Sequence, residues 1–205
     1  GGGYVEYITP SDAECKKIKK RFEIEAEPFF AYIGNIEPRK NIVTILKAFE
    51  IACDRLDKNV SLILAGKLSW RTQPIIEAIE QNKYKNQIHL PGYISEEEKK
   101  YLMHNACAFV FPSNYEGFGI PVVEAMSCGG VVITANNSSL KEVGGKAAFY
   151  VQKTDEVAQL ADRMLQCFNL SDSERKKIME DGESWAAQFS WKKCAHETQA
   201  VLEQG

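Results

Sequence analysis

Pro112-Ser113-Asn114-Tyr115-Glu116-Gly117-Phe118-Gly119-Ile120-Pro121-Val122-Val123-Glu124-Ala125 is the stretch on which the fold of this chain turns. The apolar run 108–112 leads into it as a strand, two glycines make a turn, and Pro121 stands at the favoured first position of a helix. In open α/β sheets the crevice at the carboxyl ends of the strands is where ligands bind. A helix start presents unpaired N–H groups and roughly half a positive charge, so the Gly117–Gly119 turn offers an anion cradle. Small residues there let the backbone approach a bound pyrophosphate. Glu116 precedes the turn and Glu124 lies about one helical turn inside, so both carboxylates can border one crevice and accept from vicinal hydroxyls. Taken singly, Glu124 also reads as a complement to the helix dipole and Glu116 as a solvated loop residue. The glycines between them tip the balance towards a site.

Working outward, short apolar segments alternate with longer amphipathic ones, the pattern of β-α units on a parallel sheet. Strands are expected at 29–34, 60–66, 88–91, 108–112, 131–134 and 148–151. Helices are expected at 42–56, 74–81, 95–105, 121–128, 155–169, 171–187 and 191–203. Ile42, Ile45, Leu46, Phe49, Ala52, Cys53 and Leu56 keep the spacing of one buried helical face, with Asn41 as its N-cap. Ser95 with Glu98, and Ser171 with Glu174, are capping boxes. The fold class is therefore α/β, a Rossmann-like parallel sheet with helices on both faces. Gly1–Gly3 read as an added leader, residues 1–28 as that leader plus a linker helix over 11–24, and residues 29–205 as one domain.

Two further strand ends carry cations. Tyr32-Ile33-Gly34-Asn35-Ile36-Glu37-Pro38-Arg39-Lys40-Asn41 is a strand, a glycine turn and two cations beside a helix start. Leu62-Ile63-Leu64-Ala65-Gly66-Lys67 again ends in glycine and a cation. Arg39 with Lys40, and Lys67, read equally as solvated surface charges. His89, His104 and His196 read as structural, since none neighbours a nucleophile or a metal cluster. The six cysteines are spread singly, without a C-x-x-C pair, and read as free thiols of a reducing cytoplasm. With 44% apolar and 26% charged residues the chain can bury a core, and its net charge of -3 argues against a general nucleic-acid surface. No apolar run approaches the roughly 18 residues of a membrane span.

Glu116 and Glu124 stand in the Glu-x7-Glu pattern of the retaining glycosyltransferases of family 4, the glycosyl transferases group 1. Residues 112–129 resemble that signature almost throughout, and the similarity extends over roughly residues 29–203. The resemblance implies the C-terminal, donor-binding half of a GT-B fold. It places Glu124 on the donor ribose and Glu116 by the donor-sugar hydroxyls, with Gly117, Phe118 and Gly119 lining the donor. Lys40 and Arg39 fall on the donor diphosphate beside Gly34, Lys67 on a phosphate, and the main chain near Tyr93 and Ile94 on the base. Residues 142–145 and the helix led by Phe189-Ser190-Trp191 are similar as well. Two positions depart from the pattern: Gly130 stands where proline is usual, and Asn35 where many members carry arginine.

The resemblance further implies an enzyme that transfers a hexose from a nucleotide-diphospho-sugar, with GDP-mannose favoured by the loops, and with no metal or other cofactor. The acceptor site is expected in an N-terminal half outside this chain, through which the protein can sit at a membrane surface. A non-catalytic nucleotide- or sugar-binding subunit of a two-chain enzyme is the alternative. A nicotinamide-dependent oxidoreductase shares the layout but needs a G-x-G-x-x-G opening the first unit, which is not found here.

Overall fold

Phe29-Phe30-Ala31-Tyr32-Ile33 and Ser61-Leu62-Ile63-Leu64-Ala65 are buried at every position, as strands covered on both faces must be. They are β1 and β2 of a six-stranded sheet completed by β3 (Ile88–Gly92), β4 (Ala108–Phe111), β5 (Val132–Ala135) and β6 (Phe149–Val151). The computed structural model describes residues 7–24, 28–112, 120–136, 145–153 and 156–204. The sheet order is β3-β2-β1-β4-β5-β6 and every pairing is parallel, so the sheet is Rossmann-like and each expected strand lies within a residue or so of its reading. The order reverses between β1 and β4, which makes that gap the switch point of the fold.

Right-handed crossovers then fix the sides of the sheet. The helices α2 (Ile42–Asp54) and α3 (Gln73–Glu80) run outward from β1 and lie on one face. The return helix α4 (Glu96–Asn105) and α5 (Ile120–Ser127) lie on the other. After β6, α6 (Val157–Phe168) packs on α2, and α7 (Asp172–Gln204) packs on α5. Helices thus cover both faces, as expected.

Three local readings change. Asn41 does not cap α2 with its side chain: it sits in the left-handed region at φ 59°, and its amide donates instead to the carbonyl of Pro112, 2.8 Å away. Asn tolerates that conformation, so the chain makes a sharp entry to α2 there. The two C-terminal helices are one, because no glycine or proline stands between Ala187 and Trp191 to stop the ladder. The helix read as a linker, α1 (Asp12–Arg21), lies against the domain: Ile18 and the following Phe22 and Ile24 are buried in the core. Both capping boxes form, with reciprocal bonds at Ser95/Glu98 and Ser171/Glu174.

Cys15, Cys53, Cys107, Cys128 and Cys167 are free thiols, and Cys194 lies outside the residues whose side chains are described. Burial pushes the Cys53 and Cys167 thiols up to about 12, which keeps them protonated and unreactive. Among the described residues no helix is long and apolar enough to cross a membrane.

Candidate functional site

The carboxyl ends of β1, β2 and β3 form a stepped row of glycine turns. Gly34 N–H donates to Ala65 O at 3.0 Å, and Gly66 N–H donates to Gly92 O at 2.9 Å. The contact between the first two turns is so close that a β-carbon on Gly66 would fall 1.8 Å from the carbonyl oxygen of Gly34, and Gly66 also has φ +136°. Only glycine fits there. This packing brings the loops that carry Lys40, Lys67 and Tyr93 to one rim of the sheet.

Lys40 ends a short 3-10 turn, Pro38–Lys40, that delivers the chain to α2. The residue is buried, and its ammonium lies 5.4 Å from the centre of the Phe111 ring on β4. Phe111 in turn stacks on Tyr32 of β1, whose hydroxyl donates to Asn35 O at 2.7 Å. Lys40 is therefore fixed across the switch point, a role sequence spacing does not reveal. Arg39 is exposed and paired with Glu37. The two cations precede a helix start that has no acidic residue in its first turn, a placement the helix dipole opposes unless an anion is shared there.

Lys67 is exposed at the end of β2, next to the exposed Leu68 and Trp70. Beyond β3, the side chain of Tyr93 is exposed and Ile94 is buried. The Tyr93 carbonyl accepts from Arg21 of α1 at 3.2 Å, and Arg21 also pairs with Glu98 in the α4 capping box. The segment Tyr93–Ile94 is thus held from behind by the first helix, through an arginine that nothing in the local sequence signals.

Glu124 lies one turn into α5, where it was expected. Its Oε2 is shielded from solvent and lies 2.7 Å from Lys99 Nζ in the first turn of α4. The contact is one of charge, since that oxygen takes no hydrogen bond of ordinary geometry. Lys99 also reaches Glu96 at 3.1 Å. Burial alone would lower the Lys99 ammonium, but its contacts with Glu124 and Glu96 outweigh this and hold it above its ordinary value. By sequence Lys99 is one more surface lysine in a charged helix, and only its partner 25 residues further on marks it. Glu116, Gly117, Phe118 and Gly119 lie outside the described residues, as do Glu142, Val143 and Gly144.

The described histidines have structural partners. His104 stacks on Tyr7 with ring centres 3.9 Å apart, and its Nδ1 sits 2.6 Å from Cys128 O. His89 on β3 lies 3.3 Å from the Glu23 carboxylate, and the side chain of His196 is not among those described. Clefts of 380 and 520 Å³ run between α1 and α4, lined by Glu14, Glu97, Lys100 and Arg21 among others. Neither holds any expected donor residue; Lys40, Lys67 and Tyr93 lie instead on the loops at the carboxyl ends of the strands. Among the described residues no three metal-ligating side chains cluster.

The family model for glycosyl transferases group 1 matches residues 14–185. The chain is 36% identical over 193 residues to the O-antigen chain mannosyltransferase B of Escherichia coli, an alignment covering 94% of this chain and 50% of that protein. It is 31% identical over 203 residues to the MMP alpha-(1->4)-mannosyltransferase of Mycolicibacterium hassiacum, covering 96% and 48%. The chain therefore spans about half the length of these curated relatives. Among solved structures it superposes on a glycosyltransferase of Rickettsia africae with a TM-score of 0.81 at 18% identity, covering 96% of this chain and 54% of the other. Anabaena HepE in complex with UDP-glucose gives 0.77 at 19%, covering 93% and 54%. At such identities these two show a shared fold.

Proposed function

The chain belongs to the glycosyl transferases group 1 family, and from that premise we propose that it is the donor-binding half of a retaining GT-B hexosyltransferase of family 4. The donor is a nucleotide-diphospho-sugar. The proposed hexose is mannose, because the relatives at 36% and 31% identity are both named mannosyltransferases. The observation that supports the reading best is that a lysine and a glutamate of the resembled donor site are both drawn in from solvent and held by partners remote in sequence: Lys40 over Phe111, and Glu124 against Lys99.

In this reading Glu124 accepts from the ribose hydroxyls. Lys40 and Arg39 face the diphosphate at the start of α2, with Lys67 at its far side and the Gly117–Gly119 turn beneath it. The segment Gly92–Ile94 lies against the base. As the glycosidic bond to the diphosphate breaks, negative charge grows on the leaving β-phosphate oxygen. Cations already in place stabilise it without a metal ion. Glu116 touches the donor sugar. The acceptor is held by the other half of the longer protein, and the alignment of its hydroxyl on the anomeric carbon supplies roughly 7–11 kcal/mol of the barrier.

Calorimetric titration with GDP, UDP and ADP, each with and without chelator, tests this. One nucleotide is expected to bind equally well in both conditions. Glu124→Ala is expected to weaken it by about tenfold or more, the worth of a hydrogen bond to a charged group. Lys40→Ala is expected to weaken the diphosphate more than the bare nucleoside. Binding of none of the three, or an absolute need for magnesium, overturns the proposal. Sugar transfer at ordinary enzymatic rates by these 205 residues alone overturns its division into halves.

A further inference from the structure

We propose that Lys99 is a positioning residue of the donor site, which fixes Oε2 of Glu124 so that the other carboxylate oxygen is presented to the vicinal hydroxyls of a ribose; this rests on the nucleotide-binding function proposed above. Lys99 stands in an unfavourable place for its charge. The first turn of a helix carries the positive end of the dipole and favours acids, and Glu96, Glu97 and Glu98 obey this rule. Lys99 follows them directly, yet its side chain is only 21% exposed. A long flexible cation is drawn in against both desolvation and the dipole, held by the exposed Glu96 of its own helix and, more closely, by the half-buried Glu124 of a different one.

The geometry of the pair is one-sided. Oε2 is sealed from solvent, while 17% of the Glu124 side chain remains exposed, so the exposure falls on the rest of the group. One oxygen is thus committed to Lys99, and in the proposal the other is the one that meets the ligand. Glutamate has three rotatable bonds, and fixing it before binding removes the rotamer entropy that would otherwise be lost when the ribose arrives. Lys99 lies on the helix that follows the segment Tyr93–Ile94 and reaches the helix α5 that carries Glu124, so it links the element proposed for the base to the one proposed for the ribose. A purely structural ion pair between two helices would act on stability and leave ligand choice unchanged.

The test compares a ribonucleoside diphosphate, the one selected by the titrations above, with its 2′,3′-dideoxy form. Wild type is expected to prefer the ribose form by about tenfold. In Lys99→Met the ratio is expected to fall towards one while the dideoxy form binds as before, and Lys99→Arg is expected to restore most of it. Glu96→Gln removes the other partner of Lys99 and is expected to keep the wild-type ratio within about twofold. Should Lys99→Met not fold, Lys99→Gln keeps polarity without the charge and is read in the same way. A ratio that stays at the wild-type value in the uncharged variant overturns the inference, as does an arginine variant no better than methionine. Wild type that binds nucleotide without ribose preference overturns it as well. Wild type that binds no nucleotide overturns the nucleotide-binding function itself.

Discussion

The helices α2 and α4 both begin at the carboxyl rim of the sheet, and they begin in opposite ways. The start of α4 is complete in itself: Ser95 and Glu98 satisfy each other's backbone N–H groups, and three glutamates match the dipole. The start of α2 has no side-chain cap bond and no acid in its first turn. Its cap residue Asn41 reaches away to Pro112 at the end of β4, and two cations come just before it. A self-satisfied helix start has nothing left to offer a ligand. A start tied to a distant strand and led by cations is a stored positive field, stable in the fold because long-range contacts hold it. Where a local rule of helix design fails in this molecule, the residue that breaks it is engaged elsewhere, at the rim.

The contrast breaks most completely at Gly66. Gly66→Ala places a β-carbon on the Gly34 carbonyl, in a backbone conformation that alanine resists, so the turn that delivers α2 must move. A loss of about 4 kcal/mol or more is expected in chemical unfolding. A midpoint at the wild-type value would show that the α2 start does not depend on the stacked turns. Asn41→Ala comes next, at roughly 2–4 kcal/mol, from the orphaned buried carbonyl of Pro112 and the left-handed conformation together. Asn41→Gly keeps the conformation free and is expected to lose about 1 kcal/mol less. Equal losses would assign the whole effect to the hydrogen bond.

The smallest effects belong to α4. Ser95→Ala is expected to cost about 1 kcal/mol, the usual worth of a cap. Glu98→Gln is expected to cost a similar amount at neutral pH, and this loss has a pH signature. Burial alone would raise the Glu98 carboxyl, but the bonds from Arg21 and Ser95 outweigh it and hold the group below its ordinary value of 4.5. The contribution is fully present above 4.5 and fades as pH falls through the lower folded value. Urea midpoints at about pH 7 and about pH 3 are expected to show the Glu98→Gln gap closing, while the Asn41→Ala gap stays constant. A Glu98→Gln gap of the same size at both would place its origin in packing instead of charge.

The sheet was legible because its first two strands are short apolar runs that end in glycine, as Phe29–Gly34 and Leu62–Gly66 show. Periodicity then marked α2, and residue type marked the two capping boxes. The rest was hidden for a common reason: its partners are remote in sequence. Asn41 has the chemistry of an N-cap, and nothing nearby says that its amide is taken by Pro112. Lys99 makes an ordinary pair with Glu96 three residues back, and that pair hides its contact with Glu124. Arg21 is one more charge in the stretch read as a linker helix, although it holds the Tyr93 carbonyl. The glycine turn at 117–119 and Glu116 rest on the sequence alone.

The reversal of strand order at β1 also sets a sequence in time. Phe29 pairs with Ser61 on one side, while Phe30 must wait for Ala108 on the other, across a far longer stretch of chain. Closing the longer loop costs more entropy, so β1, β2 and β3 with α2 and α3 are expected to form first and β4 to dock on them. Until it does, Asn41 has no Pro112 carbonyl to hold and Lys40 no Phe111 ring beneath it. The crevice is therefore expected to assemble only after that first unit has formed. By the same logic it is the first to come apart, and hydrogen exchange at the amides flanking Asn41 is expected to run ahead of exchange in the β1–β2 ladder.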